Sequence, residues 1–138
     1  MKTLLADIYA FRVKSQGYHW NVEGVNFKQF HDLFGGIYEQ ADADIDTIAE
    51  HIRALDAYVP ASFERFTELT TITSEATIPT ADKMVGRLLA DIEKVLATAT
   101  TAVEAADADK QRGIVNFLEG LIDAYEKTRW MLRATSKR

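Results

Sequence analysis

Between Phe27 and Leu55 an apolar residue returns every three or four positions: Phe27, Phe30, Phe34, Ile37, Ala41, Ile45, Ile48, Ile52 and Leu55. That step is the period of an α-helix, so one continuous stripe must face a core along a single long helix. Asn26 stands ahead of the run with Gln29 three residues on, an Asn variant of the capping box. The helix is expected to run from this cap to about Ala57 and to stop before Pro60.

Three more helices follow by the same reasoning. Leu4, Ile8, Phe11 and Ser15 repeat at helical spacing, with Leu5 and Arg12 beside them, and place a first helix over about residues 2–22. Gly24 is the expected C-terminal stop. Met84, Leu88, Ile92, Val95, Ala99 and Val103 mark a third helix, capped by Thr80 and running to about Ala106. Asp107 and Asp109 mark a turn and the next cap. Ile114, Phe117, Leu118, Leu121, Ile122, Tyr125 and Leu132 make the fourth. Residues 58–79 form a connection with a short amphipathic turn at Phe63–Phe66. Only 2 Pro and 7 Gly punctuate 138 residues, too few for an all-β chain.

Short first and last links imply antiparallel neighbours, and the long middle link can run the length of the bundle. An all-α, single-domain four-helix bundle over residues 1–138, with one long crossover carrying a short helix, is the ferritin-like arrangement.

Several function classes drop out. Cysteine is absent, which removes disulfides, thiolate metal sites and thiol nucleophiles and fits a reducing compartment. Asp7 breaks the opening apolar run after a few residues, so no export signal is expected, nor is any membrane span. A cytoplasmic protein is the expectation. The net charge of -5 gives no global basic footprint for nucleic acid. The inward Glu-x-x-His motifs of an ordinary bundle-centre di-metal site are missing: Gln16, Lys28 and Ile48 stand three residues before His19, His31 and His51.

What remains is His19, His31, Asp46 and Glu50. Asp46 and Glu50 are four apart and share a helix face, turned away from the apolar stripe together with His31 and Asp42. His19 and His31 flank the first turn and can stand side by side. His31 and Asp46 are about 22 Å apart along one helix, too far to share an ion within one chain. A two-fold dimer with second helices antiparallel about a dyad near residues 39–40 would set position 31 opposite position 48, between Asp46 and Glu50. Mixed imidazole and carboxylate donors suit Fe(II), Zn(II) or Mn(II). On spacing alone, a solvated acidic face and hydrogen-bonded turn histidines explain the same residues.

The run Tyr18-His19-Trp20-Asn21-Val22-Glu23-Gly24, then Phe27, Phe30-His31-Asp32-Leu33-Phe34, Tyr38, Asp46 and Ala49-Glu50, resembles the Dps family of DNA-binding proteins from starved cells, the miniferritins. The likeness extends through Ser62-Phe63, Phe66 and Leu69-Thr70 to Trp130-Met131-Leu132. It implies a dodecameric shell built from two-fold dimers. It also implies ferroxidase sites in which His19 and His31 of one subunit meet Asp46 and Glu50 of its mate. Fe(II) would be oxidised there by hydrogen peroxide or oxygen and stored as ferric mineral, with Zn a possible substitute metal. The resemblance places Trp20 beside the site as electron donor or radical trap, with interface packing the competing reading. Trp130 is expected in the core.

Three departures stand out. Gly35 occupies a position where the family commonly carries an acidic residue, which removes a ligand-side carboxylate; the neighbouring Asp32 is turned about 100° away. His51 stands where the family usually has Arg, and is expected exposed and unliganded. Only Lys2 precedes the first helix, and the basic end from Arg133 to Arg138 is short, so DNA binding is expected weak or absent. Asp107, Asp109, Glu119 and Asp123 are candidates for an iron-entry pore. The alternative function is a structural or nucleoid-associated shell with little ferroxidase activity.

Overall fold

The computed structural model describes residues 1–137. Its elements are α1 (Lys2–Asn21), α2 (Phe27–Ala54), α3 (Phe63–Leu69), α4 (Ala81–Ala108) and α5 (Arg112–Ser136). The four long helices form two hairpins, α1–α2 and α4–α5, joined by a crossover that carries α3. Among the described residues there is no strand, and no helix is long and apolar enough to cross a membrane.

The stripe on α2 does what its period predicts over its middle. Phe34, Ile37, Ala41, Ile48 and Ile52 are buried, while Phe27 and Leu55 at the ends are exposed. The other long helices bury Leu4, Ile8 and Phe11 from α1, Met84, Leu88, Ile92 and Val95 from α4, and Leu118, Tyr125 and Leu132 from α5.

Helix α1 differs from a one-faced helix. Five consecutive residues, Leu4 to Ile8, are buried, because α2, α3 and α4 all pack against it. Asp7 is among them, fully buried. It accepts hydrogen bonds from Thr70 Oγ1 (2.8 Å), Thr71 N (2.6 Å), Thr71 Oγ1 (3.0 Å) and Thr98 Oγ1 (2.7 Å). A buried carboxylate is tolerable only with such a shell. Here the shell ties the crossover to α1 and α4. Further along, Lys14 and Asp91 form a buried ion pair at 2.5 Å between α1 and α4.

The crossover is anchored at its far end too. Glu75 accepts from Tyr18 Oη (3.0 Å) and Thr77 N (2.8 Å), and pairs with Arg87. The short helix seats on α1 through a stack of Phe66 on Tyr9, centroids 4.3 Å apart.

Helix ends depart from the sequence expectations in detail. Asn26 and Thr80 precede α2 and α4 as expected, but neither side chain makes a cap hydrogen bond. Ser62 does, accepting from Arg65 N at 3.2 Å and extending the short turn into α3. Helix α1 ends at Asn21 with Val22 extended, and Gly24 makes the chain reversal beyond it at φ +112°, a backbone region closed to most side chains. Asp109 closes α4 rather than capping α5, which follows Gln111. Trp130 is 63% exposed, not in the core. Tyr125, Thr128 and Leu132 define the inward face of α5, and position 130 is turned about 200° from Thr128.

Candidate functional site

His19 lies in the last turn of α1 and His31 near the start of α2, on either side of the short first link. The hairpin brings their rings into a stack, centroids 3.7 Å apart and planes inclined by 23°. Each ring is held by the other residue's backbone. His19 Nδ1 lies 2.7 Å from the His31 carbonyl oxygen, and His31 Nδ1 lies 2.8 Å from that of His19.

A carbonyl oxygen only accepts, so both Nδ1 atoms must carry the hydrogen. In the neutral rings both Nε2 atoms then keep a lone pair. A histidine that donates one ring N–H to a carbonyl while offering the other nitrogen is in the usual posture of a metal ligand. The stack continues outward, with Phe27 5.0 Å from His31 and Tyr38 edge-on to His19 at 5.2 Å.

The ring geometry also bears on stoichiometry. A bound ion lies near the plane of its imidazole. Two nearly parallel planes cannot both contain one ion without opening the stack.

Of the six acids of α2, Asp32 pairs with Lys28 at 2.6 Å and Glu39 is exposed. Asp42 is bonded to Arg12 at 3.0 Å. Asp44 turns toward the core near Tyr125 of α5, and burial raises its carboxyl above the ordinary value. Asp46 and Glu50 are exposed and, among the described residues, have no hydrogen bond or ion pair. The structure therefore brings His19 and His31 together and leaves Asp46 and Glu50 apart, about 22 Å or more along α2 from His31. No three His, Asp or Glu side chains converge on a possible metal position among the described residues. One chain supplies two nitrogen donors to one place and two carboxylates to another.

Trp20, beside His19, is 68% exposed. It borders a groove of about 560 Å³ between α1, α3 and the crossover, where Val13, Phe63 and Ile78 are also exposed. His51 is half-buried rather than exposed, its ring 4.4 Å from Phe117 of α5. Of the pore candidates, Asp107 pairs with Arg112 at 2.8 Å. Arg133 and Lys137 of the basic end are exposed, and Arg138 lies outside the described residues.

Sequence reasoning missed the reciprocal carbonyl clasp. The equal flanking of the turn hinted at the ring pair, but backbone carbonyls leave no mark in a sequence. It also read Asp7 only as a break in an apolar run. The Thr-rich crossover that satisfies it was the available signal.

The ferritin-like domain family matches the chain over residues 1–138. By fold and sequence the chain is thus a ferritin-like protein. It is 37% identical to an uncharacterised low temperature-induced protein of Nostoc sp., over 94% of this chain and 74% of that one. It is 31% identical to DNA protection during starvation protein 2 of Bacillus anthracis, over 94% of this chain and 89% of that one. The crystal structure of a Dps protein from Vibrio cholerae, described as a member of a superfamily of ferritin-like diiron-carboxylate proteins, superposes with a TM-score of 0.94 at 28% identity. That match covers 99% of this chain and 86% of the other. Within the ferritin-like class, the chain belongs to the Dps family of miniferritins.

Proposed function

We propose that this protein oxidises Fe(II) at sites shared between subunits and stores the ferric product inside a dodecameric shell built from two-fold dimers. Membership of the ferritin-like class supports iron storage at the general level. The observation that carries the finer reading is the reciprocal clasp, which commits both Nδ1 atoms of the stacked rings and leaves both Nε2 lone pairs available.

In this reading His19 and His31 supply nitrogen, while Asp46 and Glu50 of the partner subunit supply carboxylate oxygen. The like charges of Asp46 and Glu50, one helical turn apart, are unfavourable alone and are relieved by a cation. Two Fe(II) lose one electron each. Hydrogen peroxide takes both, and with two protons its O–O bond breaks to give two water molecules. Paired one-electron donors avoid the release of a hydroxyl radical. Oxygen is the alternative acceptor. Trp20, next to His19 in sequence and exposed, serves as an electron donor when an electron is lacking. The exposed apolar groove beside α3 supports burial against another copy. Zn(II) suits the same donors as a substitute. With a chain charge of -5, strong DNA binding at ordinary salt is not part of the reading. A cytoplasmic location accords with the lack of cysteine.

The test is complementation. His31→Ala and Asp46→Ala should each abolish peroxide-dependent Fe(II) oxidation. Dissociating the two variants and reassembling them together should restore part of it, since a mixed dimer regains one intact site. Wild-type oxidation in both single variants, or a chain that stays monomeric, sinks the proposal.

A further inference from the structure

Gly35 and Gly36 are adjacent glycines in the interior of α2, where glycine is about 0.5–1 kcal/mol worse than alanine. Their surroundings differ. Gly36 is exposed, and a Cβ built on it would meet nothing within 4 Å. Gly35 is buried, and a Cβ there would stand 3.1 Å from His19 Nδ1 and 3.3 Å from His19 Cε1. The atom it would crowd is the one that donates to the His31 carbonyl.

Helix geometry explains the coincidence. The carbonyl of residue 31 points along the helix toward residue 35, so a side chain at 35 overhangs it. His19 reaches that oxygen from the side because nothing overhangs. Nor can the ring retreat easily. The His31 ring is stacked against it, Tyr38 stands at its edge, and Nδ1 is fixed at 2.7 Å from the oxygen.

We propose that Gly35 is a positioning residue of the imidazole pair. By lacking a side chain it leaves the His31 carbonyl open to the His19 ring, and so sets where the His19 Nε2 donor stands. The position does more than omit a carboxylate; its emptiness lets the His19 ring approach this oxygen as closely as it does. The consequence for metal affinity rests on the proposed function, whereas the placement of the ring does not.

The test uses the assembled protein and three variants, Gly35→Ala, Gly35→Val and Gly36→Ala, with Co(II) as the probe. Crystal structures of the metal-free proteins read the His19 position, and the visible d–d absorption of Co(II) reads the donor set. In Gly35→Ala the ring should move by a few tenths of an ångström, with Co(II) affinity severalfold weaker. In Gly35→Val the Nδ1–carbonyl bond should break, with affinity about 10–100-fold weaker, the range for loss of a ligand's orienting partner. Gly36→Ala should match the wild type in both readouts. If Gly35→Val does not fold, the alanine variant still decides. An unmoved His19 ring in both Gly35 variants overturns the inference, as does a displaced ring with undiminished Co(II) affinity. A displaced ring in a protein whose wild type binds no Co(II) upholds the positioning role and overturns the metal-site reading instead.

Discussion

The two ends of α2 are prepared to different degrees. Around His31 everything is fixed within one chain: the ring is stacked and its Nδ1 is committed. Around Asp46 and Glu50 nothing is fixed; two exposed acids stand one turn apart without a described partner. The contrast teaches that a pair of oriented imidazoles can be made by local folding of a hairpin, whereas in the proposed site the carboxylate half comes from association with a second copy.

The sharpest break in that contrast is a double substitution at the bare end. Asp46→Asn with Glu50→Gln should lower peroxide-dependent Fe(II) oxidation to background, at least about 100-fold, since direct donors matter more than their orienting partners. The stability of the fold should change by no more than about 0.5 kcal/mol, as for ordinary surface sites. His19→Ala should abolish oxidation equally, and also cost about 1–2 kcal/mol by removing the clasp across the hairpin. Oxidation rates and urea midpoints on the same preparations check both. Equal destabilisation at the two ends would erase the distinction.

The fold was legible because it is written in spacing. The stripe from Phe34 to Ile52 could face only one way, and two short links with one long one left little choice of bundle. The candidate site was legible in part for the same reason: helical rise separates His31 from Asp46, so the proposed site, which uses both, draws on a second copy. The rest depended on what spacing does not encode. The clasp uses backbone carbonyls. The half-buried setting of His51 depends on Phe117, 66 positions away. Trp130, expected in the core, is turned outward by the register of Tyr125, Thr128 and Leu132.

A second, smaller effect separates acids that build from acids that act. Asp7 is buried with four hydrogen bonds, the opposite of Asp46. Asp7→Ala should destabilise the fold by about 2–3 kcal/mol, because it strands the donors of Thr70, Thr71 and Thr98. Protease cleavage in the crossover should rise with it. At temperatures where the variant remains folded, its oxidation rate should stay within about twofold of wild type, since the hairpin that carries the imidazoles is not touched. A loss of oxidation larger than the loss of folded protein would mean that the crossover shapes the site.

The smallest effect concerns the acid between the two ends. Asp44 faces Tyr125, and neither Asp44 Oδ2 nor Tyr125 Oη has a hydrogen bond of ordinary geometry among the described residues. Burial, and then the negative charge of Asp44, push the Tyr125 phenol well above its usual 10. A phenol that ionises more readily when unfolded contributes stability that is fully present below pH 10. That stability is lost as pH rises toward the folded value, at up to about 1.4 kcal/mol per pH unit for one proton. Tyr125→Phe removes a buried hydroxyl that has no well-formed partner, so at pH 7 stability should change by less than about 1 kcal/mol in either direction. Above pH 10 the variant should lose stability less steeply than the wild type, and urea midpoints between pH 8 and about pH 11 would show the slopes diverge. Iron oxidation at pH 7 should not change, because Asp44 and Tyr125 lie apart from the exposed pair. A parallel alkaline loss in both proteins would show instead that another group carries the titration.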